Sequence, residues 1–166
     1  MKEEKKVISF DIDGVVATSS RILDFFVRKV QHYYFFSLFW SFLMETPIGD
    51  SIYKKRRVNK IIIEEIKNLQ DQGFSVILIS AIFQNHKQKV EEWLKKNQVP
   101  FDGLILQKKG ESLVFFKTRA LMEIDIDNLI VYLDDDIKLV MALNLAVPGK
   151  KAIHYKGQAL SFLFVE

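Results

Sequence analysis

The chain has 166 residues, 49% hydrophobic and 27% charged, which predicts one domain with a sizeable core and excludes a disordered chain. It holds no cysteine, which excludes disulfides and thiolate metal sites and makes a reducing cytoplasm the expected compartment. The formal net charge of +3 suits anionic substrates but is too small to argue for nucleic acid by itself.

The charged start, Met1-Lys2-Glu3-Glu4-Lys5-Lys6, leads straight into a strand with no signal-peptide hydrophobic region between them. That strand, Val7-Ile8-Ser9-Phe10, runs into Asp11-Ile12-Asp13-Gly14-Val15-Val16. Side chains alternate along an extended backbone, so Asp11 and Asp13 lie on one side of it. Two carboxylates that close repel each other unless a cation or a proton lies between them. Open α/β sheets place their ligand chemistry at strand ends, so the pair predicts a metal-assisted active site.

The segment Arg21 to Met44 follows, rich in aromatics from Tyr33 to Phe42. Its uncharged stretch is about twelve residues, short of the roughly 18 to 20 that a spanning helix needs. It predicts cap helices or a helix buried against the domain, with a membrane-surface or partner-binding patch as the alternative. Pro47 and Gly49 are expected to break that helix before the basic run Lys54-Lys55-Arg56-Arg57. The run reads either as a solvated helix entrance or as a basic rim that attracts phosphate-bearing substrate.

In Val58 to Gln72, Ile61, Ile62, Glu65, Ile66 and Leu69 recur at helical spacing, and Gly73 is the expected C-cap. Phe74 to Ile79 predicts a buried parallel strand ending at Ser80-Ala81. A helix from about Asn85 to Lys96 puts Val90, Trp93 and Leu94 on one face. Gly103-Leu104-Ile105-Leu106 is the next strand, and a helix opens near Phe116-Lys117 and continues through Met122. Asn128 to Leu133 is a strand that runs into Asp134-Asp135-Asp136. A helix carrying Val140, Met141 and Leu143 and a short strand, Ala152-Ile153-His154-Tyr155, complete the pattern. Strands separated by helices predict βαβ crossovers and a mostly parallel sheet.

In a parallel sheet all strand carboxyl ends share one edge, so Asp11, Asp13, Ser80 and the Asp134–Asp136 run converge. Carboxylates gathered in this way suit a hard, oxygen-seeking ion such as Mg²⁺. The scattered histidines His32, His86 and His154 argue against zinc and read as surface or packed structure.

These residues resemble the haloacid dehalogenase-like (HAD) superfamily, and most closely its phosphatases. Asp11-Ile12-Asp13-Gly14-Val15-Val16 matches the family's first motif, and Ile77-Leu78-Ile79-Ser80-Ala81 its second. Lys117 best matches the third, with Lys108 and Lys109 in competition, and Tyr132-Leu133-Asp134-Asp135 matches the fourth. The order and spacing fit over nearly the whole chain apart from Arg21 to Arg57.

The resemblance implies that Asp11 is the nucleophile that forms an aspartyl-phosphate, and that Asp13 is the general acid and then the base. Ser80 would hydrogen-bond a phosphoryl oxygen, and Lys117 would neutralise charge between nucleophile and phosphate. Mg²⁺ would bridge Asp11, the backbone carbonyl of Asp13, the phosphate and an acidic side chain of the fourth motif. Asp135 is preferred as that ligand, Asp134 stands close behind it, and Asp136 is spare.

The implied fold is α/β, a Rossmann-like three-layer sandwich with a mostly parallel central sheet. A single HAD-like domain over residues 1–166 would carry a small helical cap insertion at about 20–57, within the 66 residues separating Asp13 from Ser80. The implied activity is Mg²⁺-dependent hydrolysis of a phosphomonoester; a phosphotransferase, or a non-catalytic binding module on the same scaffold, is the alternative. The stretch from Trp93-Leu94 through Val99-Pro100-Phe101-Asp102-Gly103 to Leu106, with Leu133-Asp134-Asp135-Asp136, is also similar to the phosphatase domain of polynucleotide kinases, which removes 3′-phosphates. The expected partner is thus a phosphorylated small molecule, a nucleotide or a nucleic-acid end. No feature argues firmly for membrane binding, and the oligomeric state stays open.

Overall fold

Strand β1 (Val7–Asp11) is buried along its whole length and lies at the middle of a five-stranded parallel sheet. The structure is a computed structural model and describes residues 5–18, 42, 46–124, 128–147, 149, 151–157 and 160. Much of the predicted cap, including all of the aromatic run but Phe42, therefore lies outside the described residues. In chain order the elements after β1 are β2 (Ala17–Thr18), α1 (Pro47–Lys54), β3 (Arg57–Val58), α2 (Lys60–Asp71) and β4 (Ser75–Phe83). Then come α3 (Lys87–Lys96), β5 (Gly103–Gln107), α4 (Leu113–Glu123), β6 (Leu129–Asp134), α5 (Ile137–Ala146) and β7 (Ala152–His154).

The sheet order is β5-β4-β1-β6-β7, and every neighbouring pair is parallel. The chain builds outward from β1 through β4 to β5 and then returns to β6 on the other side of β1. The order therefore switches direction beside β1, which opens a crevice at the strand carboxyl ends. In register, Asp11 lies opposite Ile79 of β4, and Phe10 opposite Leu133 of β6.

Alternation along the strands divides the core into two layers. Ile8, Phe10, Val76, Leu78, Val131 and Leu133 face Ile62, Ile66 and Leu69 of α2 and Val90, Trp93 and Leu94 of α3. Val7, Ile79 and Tyr132 face Phe116, Ala120 and Leu121 of α4 and Leu139, Val140 and Leu143 of α5. The sheet is thus the mostly parallel one that the strand and helix pattern predicted, and helix, sheet and helix form the three-layer Rossmann-like sandwich that the resemblance implied. Gly73 closes α2 as expected: at φ +90° it lets its own N–H reach Gln70 O and lets Phe74 N–H reach Leu69 O.

Three boundaries differ from expectation. Strand β4 runs on to Phe83 rather than ending at Ser80-Ala81, because a serine and an alanine do not break an extended chain and Ile82 and Phe83 beyond them are buried. Helix α4 begins at Leu113, three residues before the predicted start, because the Ser112 hydroxyl caps it by accepting from Phe115 N–H. Lys117 therefore sits in its second turn instead of opening it. Pro47 opens helix α1 rather than only ending an earlier one. Thr46 accepts from Gly49 N–H at 3.2 Å, and the missing proline N–H costs nothing at the first helical position.

Among the described residues, no helix is long and apolar enough to cross a membrane.

Asp102, in the turn before β5, ties the sheet to α2: its Oδ2 accepts from Val76 N–H at 2.8 Å and from Gln70 Nε2 at 3.1 Å. Partial burial pushes this carboxyl up, but these hydrogen bonds outweigh it and hold the pKa below its usual 3.8. The depressed value means that Asp102 contributes stability above the open-chain pKa and loses it as pH falls through the folded one. Asp102→Asn is accordingly expected to lower the thermal midpoint at neutral pH, with the difference from wild type closing as pH falls from 3.8 through the lower folded value. Melting curves of both proteins across pH check this.

Candidate active site

Asp11 is the last residue of β1, and alternation puts its side chain on the α4 side of the sheet with Val7 and Ser9. Lys117 rises from α4 to meet it: Nζ lies 2.5 Å from Asp11 Oδ1, and both residues are buried. The same ammonium donates to the hydroxyl of Tyr132 at 2.5 Å and to the carbonyl of Ile79 at 3.2 Å, and it stands 3.5 Å from Asp134 Oδ2. The Tyr132 hydroxyl in turn donates to Asp134 Oδ2. Tyr132 and Asp134 are two apart on β6, so one face of that strand supplies both. Lys117 is thus anchored by three strands, β1, β4 and β6.

Burial alone would drive the proton off Lys117, but the Asp11 and Asp134 carboxylates beside it outweigh that and raise its pKa. Burial pushes the Asp11 carboxyl well above 3.8; Lys117 opposes this, while Asp134 and Asp13 add to it. Tyr132 is also pushed up, first by burial and then by Asp134 and Asp11, so its phenol stays a proton donor.

Asp11, Asp134 and Asp135 each offer a carboxylate oxygen within 4.8 Å of the others. Three carboxylates against one ammonium leave an excess of negative charge, the condition a divalent cation relieves. The all-oxygen donor set fits Mg²⁺, and Gly14 lets the Asp135 carboxylate lie against the loop. Gly14 takes φ +99°, and a Cβ there would come within 2.2 Å of Asp135 Cγ, so only glycine lets that carboxylate close over the loop. Gly14→Ala is expected to cost roughly 1–3 kcal/mol through overpacking and to weaken Mg²⁺ affinity by displacing Asp135. Thermal unfolding and calorimetric Mg²⁺ titration check the two effects.

Asp13 lies just past the strand and is half-exposed. Its Oδ2 accepts from the Ser80 hydroxyl at 3.3 Å, and its Oδ1 pairs with Arg56 Nη1. The structure therefore brings together Asp11, Asp13, Ser80, Lys117, Asp134 and Asp135. It does not bring in Lys108 or Lys109, which are exposed after β5, where Glu111 Oε2 accepts from Lys108 N–H. Asp136 is the N-cap of α5, accepting from Lys138 and Leu139 N–H, so its Oδ1 is engaged by the helix. Asp135 is held from behind through its carbonyl, 3.1 Å from His154 Nε2.

Sequence reasoning missed two side chains of this site. Tyr132 carried a usable signal, since it is two residues before Asp134 on a strand. Arg56 carried none beyond its place in the basic run, whose other members Lys54, Lys55 and Arg57 are exposed as a solvated rim should be.

The fold of the chain is similar to that of solved HAD family enzymes. In three dimensions the chain is similar to a protein in the Pnkp1/Rnl/Hen1 complex at 19% identity and a TM-score of 0.64, over 93% of this chain and 48% of that one. It is similar to a phosphoserine phosphatase at 20% identity and a TM-score of 0.60, over 90% of this chain and 86% of that one. With the HAD family enzyme BT-2542 of Bacteroides thetaiotaomicron, solved with magnesium and inorganic phosphate, it shares 16% identity and a TM-score of 0.61, over 98% of this chain and 100% of that one. The chain thus spans about half the length of the Pnkp1 complex protein that it matches. No protein-family model matches the sequence, and no curated protein matches it.

Proposed function

We propose that this protein is a Mg²⁺-dependent phosphomonoesterase that works through an aspartyl-phosphate on Asp11. The observation that carries the reading is a buried ammonium set against a strand-end carboxylate, with a second carboxylate two residues on that faces different partners. A carboxylate stored only to bind metal would need neither the lysine nor the separately held Asp13.

In the proposed reaction Asp11 attacks phosphorus, and the bond to the leaving oxygen breaks as that oxygen takes the proton of Asp13. Asp13 then takes a proton from water as the water oxygen bonds to phosphorus. The Asp11–phosphorus bond breaks, and inorganic phosphate leaves. Lys117 neutralises charge that passes between Asp11 and the phosphoryl group, and the Ser80 hydroxyl is placed to donate to a phosphoryl oxygen. The side chains of Asp11, Asp134 and Asp135 and the backbone carbonyl of Asp13 would hold Mg²⁺, which when bound offsets the charge of the phosphoryl oxygens. That two similar folds are a phosphoserine phosphatase and an enzyme solved with magnesium and phosphate supports this chemistry.

The substrate is proposed to be a phosphomonoester on an anionic or polar carrier, from small metabolites and nucleotides to nucleic-acid ends. Lys54, Lys55 and Arg57 are exposed next to Arg56 in the chain, and a basic run there would favour such carriers. The test is release of inorganic phosphate from an aryl phosphate, nucleotides, sugar phosphates and 3′-phosphorylated oligonucleotides, with Mg²⁺ and with chelator. Hydrolysis of at least one substrate with Mg²⁺ alone supports the reading. No release from any of them would leave a binding module on this fold as the better account.

A further inference from the structure

Arg56 occupies an expensive position that the reaction above does not explain. Its side chain is 7% exposed, although it pairs with an Asp13 side chain that is 50% exposed. The guanidinium carbon stacks 3.7 Å from the centre of the Tyr53 ring and 4.7 Å from that of Trp93, and those two rings meet edge-on. Its Nε and Nη2 are buried and have no hydrogen-bond acceptor among the described residues. Desolvating a guanidinium and leaving N–H groups unmet opposes folding, and a pair with a half-exposed carboxylate returns little. Arrangements of this kind persist where function requires them.

The backbone around Arg56 is fixed to the loop that carries Asp13. Val58 and Arg57 pair antiparallel with Ala17 and Thr18, and Asn59 N–H donates to Val16 O at 2.9 Å. Asn59 Nδ2 donates to Val15 O at 3.1 Å and to the Tyr155 hydroxyl at 2.9 Å. Arg56 therefore reaches Asp13 from the residue just before the braced strand β3, with its guanidinium carbon over the Tyr53 ring and beside that of Trp93. Ser80 holds the other oxygen of the same carboxylate.

We propose that Arg56 is a positioning residue for Asp13, holding its carboxylate in the place from which it accepts the proton of the attacking water. The inference rests on the phosphomonoesterase reading. Its signature lies in which half of the reaction slows. A good leaving group such as 2,4-dinitrophenolate departs without a proton, so the first half needs no acid. Water attack on the Asp11 phosphate still needs Asp13.

The experiment is rapid-mixing kinetics of 2,4-dinitrophenyl phosphate hydrolysis with Mg²⁺ by wild type, Arg56→Gln, Arg56→Lys, Asp13→Asn and the Arg56→Gln/Asp13→Asn pair. The proposal expects Arg56→Gln to release the first equivalent of phenolate at the wild-type rate and then turn over about 10²-fold more slowly, with phosphoenzyme accumulating. Arg56→Lys should recover part of the turnover, and Arg56→Gln should add little to Asp13→Asn. First release and turnover falling together in both Arg56 variants, full additivity in the double variant, or unchanged turnover in Arg56→Gln would each overturn it. Absence of hydrolysis by wild type would instead remove the phosphomonoesterase reading on which it stands.

Discussion

Asp11→Asn is expected to fold and to lose at least about 10³-fold in turnover, the scale seen when a nucleophile is removed from a site whose parts act together. An amide keeps the shape of the side chain but is not a nucleophile, and it cannot complete the carboxylate set with Asp134 and Asp135. Lys117 keeps its contacts with Tyr132, Ile79 and Asp134, so the core around it stays satisfied. Burial already disfavours the Asp11 charge, and Asp134 and Asp13 repel it. Removing that charge should leave the thermal midpoint in metal-free buffer equal to or above that of wild type, a trade of stability against activity common at active sites. Aryl phosphate hydrolysis and melting curves of the same preparation check both halves.

The second large effect falls on Lys117. Replacing it by methionine leaves Asp11 and Asp134 buried beside each other without the ammonium between them, and leaves the Tyr132 hydroxyl without its donor. Removing one member of a buried charged set typically costs 3–5 kcal/mol, so Lys117→Met is expected to lose about that much by chemical denaturation. Turnover should fall a further step, about 10²- to 10³-fold, because a donor aimed at developing charge is gone. The two losses separate by experiment: saturating Mg²⁺ offsets part of the carboxylate repulsion and so restores stability, while turnover stays low. A variant that kept wild-type stability and activity would show that the Lys117 contacts are incidental.

The strand ends were legible because few sequences can supply them. A buried apolar strand that stops in Asp11-x-Asp13-Gly14, another that passes Ser80, and a third that stops in Asp134-Asp135 must meet at one edge once the sheet is parallel. The same alternation that placed Asp11 also placed Tyr132 on the face of Asp134, but a tyrosine within Ile130-Val131-Tyr132-Leu133 reads as core packing, which it also is. Lys117 is legible as a residue and not as a helix position, because the helix is capped by Ser112, ahead of the apolar Leu113-Val114-Phe115-Phe116 run rather than after it.

Arg56 was not legible at all. Its contact with Asp13 spans 43 residues and depends on the two-residue pairing of β2 with β3, too short to leave a periodic pattern. A basic quartet predicts four solvated side chains, and only the contacts of Arg56 with the Tyr53 and Trp93 rings show that one of them is withdrawn. The predicted cap, about residues 20–57, lies largely outside the described residues and carries composition but no motif, so the sequence names no substrate.

The central claim is that phosphate passes through Asp11. The most direct measurement is acid quenching of the protein during turnover with Mg²⁺ and an activated aryl phosphate, followed by hydroxylamine treatment and peptide mass spectrometry. The account predicts a hydroxylamine-labile phosphoryl group on the peptide that carries Asp11, more of it in Asp13→Asn than in wild type, and none in Asp11→Asn. Turnover with no phosphopeptide in either protein, or with the phosphoryl group on a different residue, would contradict it.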